Sequence, residues 1–393
     1  FQMISNDPKC RPILIYGAGI HLSGCEKEAI QYAERVNVPV VPTWGGLDIV
    51  PSSHPLFVGS FGTHGTRAGN FAVQNATNIT AIGTRLDSKA TGTPIESFAR
   101  GATILMIDID FREIEKFKGM KRLLGVPQDA KKFFQDNLIG GQVEVSQQWL
   151  DQIKLWKKKY PVVSPKYKKE DWINPYVFIN ELSKQTPEDT IICTDTGCAV
   201  AWVSQAWNWK KGQRFLHAFN QTPMGYGLPA AIGAFYATGK KIVLITGDGS
   251  LMMSIGELAT VSTHKIPVSI FMFNNQGHAM CRQTEREWMG GKYYSTGKQD
   301  LSFPRFRSWA GSCENFIETW VLETPDHLLS REDRKMEEVI KDSLEKKSPT
   351  FVEVVIDPDQ DVVPKVKYGH ANEDGHPLID LTQEMLIPLW TAS

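Results

Sequence analysis

Several things are scarce in this 393-residue chain, and each scarcity removes a class of protein. Only six cysteines occur (Cys10, Cys25, Cys193, Cys198, Cys281 and Cys313), and they form no C-x-x-C pair and no zinc spacing. That argues against a disulfide-stapled secreted domain and a zinc site. Free thiols in a reducing compartment, hence a cytoplasmic location, are the expectation. No apolar run approaches the roughly 20 residues that span a bilayer, and no basic-then-apolar leader opens the chain, so no membrane partner is expected. Net charge is scarce too. Lys and Arg number 43 against 44 Asp and Glu, a balance of -1 that calls for no nucleic acid. The one basic run, Lys154 to Lys169, reads as a solvated helix end and linker before it reads as a binding patch. Internal repeats and low-complexity tracts are absent. An initiator Met is also missing: the opening FQMISNDPKCRP reads as a linker, and a fragment or processed product is expected.

What is present is an ordinary globular composition, 41% hydrophobic and 22% charged, long enough for roughly two to three domains. Strand patterns at Ile13–Tyr16, Val38–Pro42, Ile79–Gly83 and Thr103–Asp108 alternate with helical patterns at Glu26–Val36 and Arg67–Ala76. A second series begins at Asn174-Pro175, an Asn cap with Pro at the first helical position. It continues with strands at Thr190–Thr194, Arg214–His217, Lys241–Thr246, Val268–Phe273 and Thr350–Ile356, and helices at Gly227–Thr238 and Gly256–His264. Ser254 and Glu257 are spaced as a capping box for the latter helix. Alternation of this kind predicts an α/β protein with two doubly wound parallel-sheet domains. Their boundaries are placed at residues 1–135 and 173–393, with a linker over 136–172. The turn Gly17-Ala18-Gly19 is an incomplete dinucleotide fingerprint, because its third glycine would fall at Leu22.

The most informative stretch runs from Gly247 to Asn275. KIVLIT ends on Gly247-Asp248-Gly249-Ser250, and 24 residues further on VSIFMF ends on Asn274-Asn275. Both turns fall at carboxyl ends of predicted parallel strands, where open α/β sheets bind ligands. The glycines let backbone approach a phosphate, and a helix start nearby suits an anion. Asp248 and Asn275 offer one carboxylate and one amide oxygen. That short donor set suits magnesium, which completes its octahedron with phosphate oxygens and water.

This spacing resembles the signature of thiamine diphosphate enzymes, and the resemblance extends over nearly all 393 residues toward the acetolactate synthase large subunits. Met224-Gly225-Tyr226-Gly227-Leu228-Pro229 followed by Ala230-Ala231-Ile232-Gly233 is similar to that family's M-G-x-G-L-P-A-A-I-G segment. Phe61-Gly62-Thr63-His64-Gly65-Thr66, Gly83-Thr84-Arg85-Leu86-Asp87-Ser88-Lys89 and Ile107-Asp108-Ile109-Asp110 are similar to segments of its middle domain. The resemblance implies magnesium held by Asp248, Asn275 and the Gly277 carbonyl. It implies a cofactor contacted by Gly225, Gly247, Gly249, Ser250, His278, Ala279 and Met280, and a catalytic Met224 that props the cofactor into its bent shape. A packed core Met is the plainer alternative. It further implies a flavin (FAD) held near Thr66, Arg85 and Asp108, unless the domain kept its fold and lost the flavin. His278, in the same loop, suits proton transfer by its ordinary pKa; a packing or hydrogen-bonding role beside the diphosphate is the alternative. His64 and His217 read as structural residues or cofactor contacts.

Four departures qualify the resemblance. The family's G-Q-H-Q-M-W reads Gly197-Cys198-Ala199-Val200-Ala201-Trp202, so the Gln and His that reach the diphosphate are gone. The acceptor-pocket Trp is Thr284, and the Arg that clamps the second oxo acid is Lys89, a point charge instead of a fork. The run from Gln276 to Arg286 looks more like relatives associated with surface-polysaccharide pathways, some of which transfer a two-carbon unit to a keto-sugar. Finally, the family's pyrimidine-binding domain with its catalytic Glu precedes the matched segments. It is expected in cis or in trans, and the 393 residues alone are expected not to turn over. The reaction implied is decarboxylation of a 2-oxo acid, pyruvate first among them, and ligation to a carbonyl acceptor by a homodimer or tetramer. Simple decarboxylation and a non-catalytic cofactor-binding subunit stand as alternatives.

Overall fold

The structure, a computed structural model, describes residues 10–137, 145–218, 220–296, 317–323 and 334–365, isolated positions between 300 and 313, and the backbone of 368–371 and 377–379. It divides into two compact units, residues 1–161 with 363–393 and residues 162–362.

The first unit carries β1 (Pro12–Tyr16), β2 (Val40–Pro42), β3 (Asn78–Ile82), β4 (Thr103–Asp108) and β5 (Leu123–Pro127), all parallel in the order β2-β1-β3-β4-β5. PILIY and the centre of TILMID are buried throughout, as a sheet covered on both faces requires. The helix Glu26–Val36 buries Ala29, Tyr32, Ala33 and Val36, one stripe at helical spacing, and ends on Asn37 in the left-handed region. β5 escaped the sequence reading because it is a partly exposed edge with a Gly inside it. At the reversal of strand order between β1 and β3, Gly83 (φ +61°) lies against Gly17 and Gly19. A Cβ on Gly17 would fall 2.3 Å from the Gly83 oxygen. The Gly17-Ala18-Gly19 turn thus serves close backbone packing.

The expected linker is mostly part of this unit. Gln147–Lys159 is a helix that sends Trp149, Ile153 and Trp156 into the core beside Phe71, and the Trp149 indole N–H donates to the Pro12 carbonyl at 3.0 Å. The division therefore falls at Pro161/Val162, and the chain rejoins the first unit at Val363, earlier than the extension expected within 173–393. A short antiparallel pair, Tyr368–Ala371 with Pro377–Ile379, follows.

The second unit carries β6 (Ile191–Thr194), β7 (Arg214–Leu216), β8 (Ile242–Gly247), β9 (Val268–Asn274), β10 (Glu318–Leu322) and β11 (Thr350–Val355), parallel in the order β10-β11-β9-β8-β6-β7. The helix Pro175–Gln185 starts as predicted, with the Asn174 side chain accepting from Tyr176 N at 2.9 Å. The predicted capping box does not form. The helix Glu257–Thr263 begins after Gly256, the buried Ser254 Oγ has no hydrogen-bond partner, and the Glu257 carboxylate accepts from Thr260 instead. β10 and the helix Met336–Glu345 were not read from sequence. Among the described residues, no helix is long and apolar enough to cross a membrane, and all six cysteines are free thiols.

Trp149→Ala is expected to destabilise the first unit by about 3–5 kcal/mol, from a cavity plus an orphaned Pro12 carbonyl. Denaturant-dependent hydrogen exchange in β1 and β4 checks this; unchanged protection there would refute the packing role.

Candidate functional site

The chain leaves β6 for β7 on one side and returns to β8 on the other, so a crevice opens at the carboxyl ends of β6 and β8. The parallel register sets Gly247 opposite Phe273, which brings Asp248 and Asn275 to the same mouth. A cleft with about 280 Å³ of free space lies there. Its walls include Gly197, Cys198, Ala199, Met224, Gly247, Asp248, Gly249, Ser250, Asn275, Gly277, His278, Ala279, Met280 and Cys281.

Asp248 is 1% exposed. Burial pushes its carboxyl up to about 7, against the pull of backbone N–H groups from Gly249, Gly277 and Gln276 and the charge of Arg282. Its Oδ1 accepts from Gly249 N at 2.7 Å and its Oδ2 from Gly277 N at 3.2 Å. Beside it the buried Asn275 Oδ1 accepts no hydrogen bond. A buried amide oxygen without a donor costs free energy unless something electropositive meets it. No group of three His, Cys, Asp or Glu stands ready to hold a metal among the described residues. With one carboxylate, an amide oxygen and a backbone carbonyl, a cation here would need further oxygens from its ligand.

Two helices point their amino ends at the cleft, Cys198–Ala206 behind Gly197 and Ala279–Trp288 behind His278, and neither first turn has a side-chain cap. Unclaimed N–H groups at a helix start favour an anion. Gly249 lets the His278 ring come close, because a Cβ there would sit 2.6 Å from it and force the ring to shift. Burial and the Arg282 charge lower the His278 pKa. Met224 is a partly exposed side chain of the cleft wall, not a core residue.

The sequence reading missed three supporting groups. Asp195, 1% exposed at the end of β6, accepts from Gly225 N at 3.0 Å, Gly227 N at 2.7 Å and Thr196 N at 2.8 Å. It also accepts from the Ser250 hydroxyl. Burial raises its pKa and these donors lower it. The Asn274 Nδ2 donates to the buried Glu353 at 2.5 Å, so the Asn274 Oδ1 faces Gln276 N at 3.1 Å and supports Gln276 at φ 52°. Arg282, 3% exposed, donates from Nη2 to the carbonyls of Asn275 (3.3 Å) and Pro358. A strand ending on Asp, as IICT-Asp195 does, was the available signal for the first; nothing local marks the other two.

Some predicted residues take other parts. Gly225 (φ +84°) does not line the cleft; its N–H anchors the turn that presents Met224. The Ser250 hydroxyl is spent on Asp195. Thr284 is absent from the cleft wall, and its hydroxyl donates to the Met280 carbonyl at 3.0 Å. His217 is buried against Phe215. In the first unit Thr66 caps the helix Arg67–Asn75. Its hydroxyl and N–H both donate to the Ser60 carbonyl, the hydroxyl accepts from Gly69 N, and its carbonyl accepts from Asn70 N. Arg85 lies 3.9 Å from Glu113. Asp108 accepts from Asp110 N at 3.0 Å, and burial raises its pKa. Lys89 is exposed, its carbonyl taken by Thr63. His64 is half-buried beside Trp44 with both ring nitrogens enclosed, and their burial lowers its pKa to about 3.

The raised Asp248 pKa fixes a sign. Between the ordinary 3.8 and about 7 the folded chain holds a proton there that the unfolded chain has released, so stability falls as pH rises through that window. With divalent cations chelated, the second unit is expected to melt at lower temperature as pH rises across it, and Asp248→Asn is expected to flatten the slope. A wild-type slope in the variant would refute the assignment.

Comparison with known proteins agrees with this geometry. Residues 195–354 match the family described as thiamine pyrophosphate enzyme, C-terminal TPP binding domain, and residues 2–136 match the thiamine pyrophosphate enzyme central domain. A probable acetolactate synthase large subunit of Methanocaldococcus jannaschii is 32% identical over 373 residues, 91% of this chain and 59% of that protein. Acetolactate synthase 2 of Zea mays is 32% identical over 382 residues (93% and 56%), and isozyme 1 of Escherichia coli is 28% identical over 365 (93% and 62%). The chain thus spans less than two thirds of these relatives' length. It belongs to the thiamine pyrophosphate enzymes, with their central and C-terminal TPP-binding domains and acetolactate synthase large subunits among its relatives.

Proposed function

We propose that the second unit binds magnesium and the diphosphate of thiamine diphosphate, in an enzyme that decarboxylates a 2-oxo acid such as pyruvate and joins the two-carbon unit to a second carbonyl compound. The observation that carries this is the orphaned Asn275 Oδ1 beside the buried Asp248 carboxylate at the mouth of the cleft. These two oxygens and the Gly277 carbonyl fit a hard cation that takes its remaining ligands from a diphosphate and water. The first turns of Cys198–Ala206 and Ala279–Trp288 hold phosphate oxygens. Bound thiamine diphosphate supplies the electron sink that decarboxylation and carbon–carbon bond formation need. Met224 wedges the ligand from the cleft wall. His278, its pKa lowered by burial and Arg282, holds or moves one proton in the loop beside Gly249. A pyrimidine-binding domain, in cis or in trans, completes the ligand's other half and supplies the activating carboxylate.

Asp248→Ala and Asn275→Ala are each expected to weaken magnesium-dependent thiamine diphosphate binding by about a hundredfold, the scale of a lost metal ligand with its charge or dipole, while far-UV circular dichroism stays unchanged. Isothermal titration of both variants decides; wild-type affinity in both would sink the reading.

For the first unit we propose a flavin contacted by Arg85 and Asp108 at the carboxyl ends of β3 and β4, Thr66 contributing only the helix start it caps. For the acceptor, the lack of a large aromatic wall at Thr284, whose own hydroxyl turns back to the Met280 carbonyl, and the point charge of Lys89 favour a bulkier, more polar carbonyl compound, such as a keto-sugar, over a second pyruvate. Thr284→Trp with Lys89→Arg is then expected to raise the acetolactate share of product several-fold, about the 1–3 kcal/mol of a single pocket contact. Product ratios measured with the complete enzyme test this, and an unchanged share would remove both positions from specificity.

A further inference from the structure

A diphosphate brings several negative charges, yet among the described residues that line the cleft there is no Lys or Arg. One cation, Arg282, stands directly behind the wall at Gly277. Arg282 reaches from the second turn of Ala279–Trp288 under the Asn275-Gln276-Gly277 loop. Its Nη1 sits so close that a Cβ on Gly277 would meet it at 2.8 Å. The guanidinium is 3% exposed, and among the described residues it makes no ion pair. Nη2 serves two backbone carbonyls, while Nε and Nη1 are buried with no hydrogen-bond partner. A buried guanidinium with no ion pair is costly; two backbone carbonyls and the charge it exerts on the nearby Asp248 carboxyl, to which it makes no hydrogen bond, offset that only in part. The arrangement is intelligible if strong negative charge arrives on the other side of the loop. At an effective dielectric near 20, a fixed charge a few ångströms behind the wall still acts on a charge in front of it. A positive charge held there before binding needs no reorganisation when the anion enters.

We propose that Arg282 is a positioning and charge-compensating residue for the diphosphate. Its fork holds the Asn275 carbonyl, and so the metal-loop backbone, in place; its charge offsets the phosphate oxygens through the Asn275–Gly277 backbone, without touching them. The inference rests on the thiamine diphosphate reading and adds to it a cation outside the cleft wall. It separates two roles that a substitution series can tell apart. Arg282→Gln keeps a donor for the Asn275 and Pro358 carbonyls and removes the charge. Arg282→Lys keeps the charge and removes the fork.

The test is isothermal titration of the full chain, wild type and both variants, with magnesium thiamine diphosphate and separately with magnesium pyrophosphate, which carries the charge without the rings. Arg282→Gln is expected to weaken both ligands by about tenfold or more, the scale of one charge acting across a partly screened wall. Arg282→Lys is expected to stay within about threefold of wild type, the cost of a lost fork. The loss in Arg282→Gln should also shrink as salt rises, which a purely structural defect would not show. Wild-type affinity in a folded Arg282→Gln overturns the inference. So does equal weakening in Arg282→Lys, which would leave only the fork. Should Arg282→Gln not fold, Arg282→Lys carries the test, since folded protein with a greater than tenfold loss refutes the charge role and near-wild-type binding supports it. A wild-type chain that binds neither ligand would instead bring down the thiamine diphosphate reading itself.

Discussion

Everything in the second unit follows from β8 and β9 lying side by side in parallel. Thr246 pairs with Met272 and Gly247 with Phe273, and there the pairing of the two strands with each other ends, while Asn274 still pairs with Val355 of β11. The chain must turn there, and the two turns carry Asp248 and Asn275. A slip of one residue would reverse every side chain of a strand that is buried along its whole length, so the core on both faces of β9 holds the register. The geometry of the cleft is thus enforced by apolar packing some distance from any polar atom in it.

Polar groups at that mouth are costly to bury, and their arrangement shows how the cost is shared. Asp195 is buried but receives three backbone N–H groups and the Ser250 hydroxyl, so it is a structural carboxyl group that pins the Gly225–Gly227 turn to β6. Asp248 receives fewer donors for its burial, and its carboxyl is pushed up to about 7. Asn275 keeps an oxygen with no donor at all, and Arg282 keeps two nitrogens with no acceptor. The satisfied group builds the site, and the unsatisfied ones are those the proposed cation and diphosphate would meet. Glu353, joined to Asn274 across from β11, belongs with the builders: it orients the Asn274 amide so that its oxygen supports the left-handed backbone of Gln276.

Both units use one device at a reversal of strand order, with different results. In the first unit three glycines close the space between β1 and β3 with backbone. In the second, the side chains of His278 and Met224 come up against Gly249, and the cleft beside it remains open. Glycine at such a point allows close approach, and what approaches is decided by the neighbouring loop.

Read alone, the sequence determined the parallel α/β architecture, most of the central strands, and the pairing of Asp248 with Asn275. These depend on local signals: apolar runs of strand length, glycine turns and the Asn174-Pro175 helix start. The spacing between two strand ends carried the cofactor family for the same reason. Edge strands were less legible. β5 is half exposed, and so has no continuous apolar run to read. The linker was misjudged because the Trp149, Ile153 and Trp156 stripe sits in a Lys-rich segment whose charge masks the buried face. Only the tertiary structure showed that Ser250 is spent on Asp195, that Thr284 turns back to Met280, and that Thr66 is wholly engaged in its own cap. It alone brought Asp195, Glu353 and Arg282 to the loops they support. Those partners lie up to 79 residues apart in the chain, as Asn274 and Glu353 do. A hydrogen bond between groups so distant in sequence leaves no periodic trace in it, because packing of the sheet, and nothing in the local chain, brings them within reach.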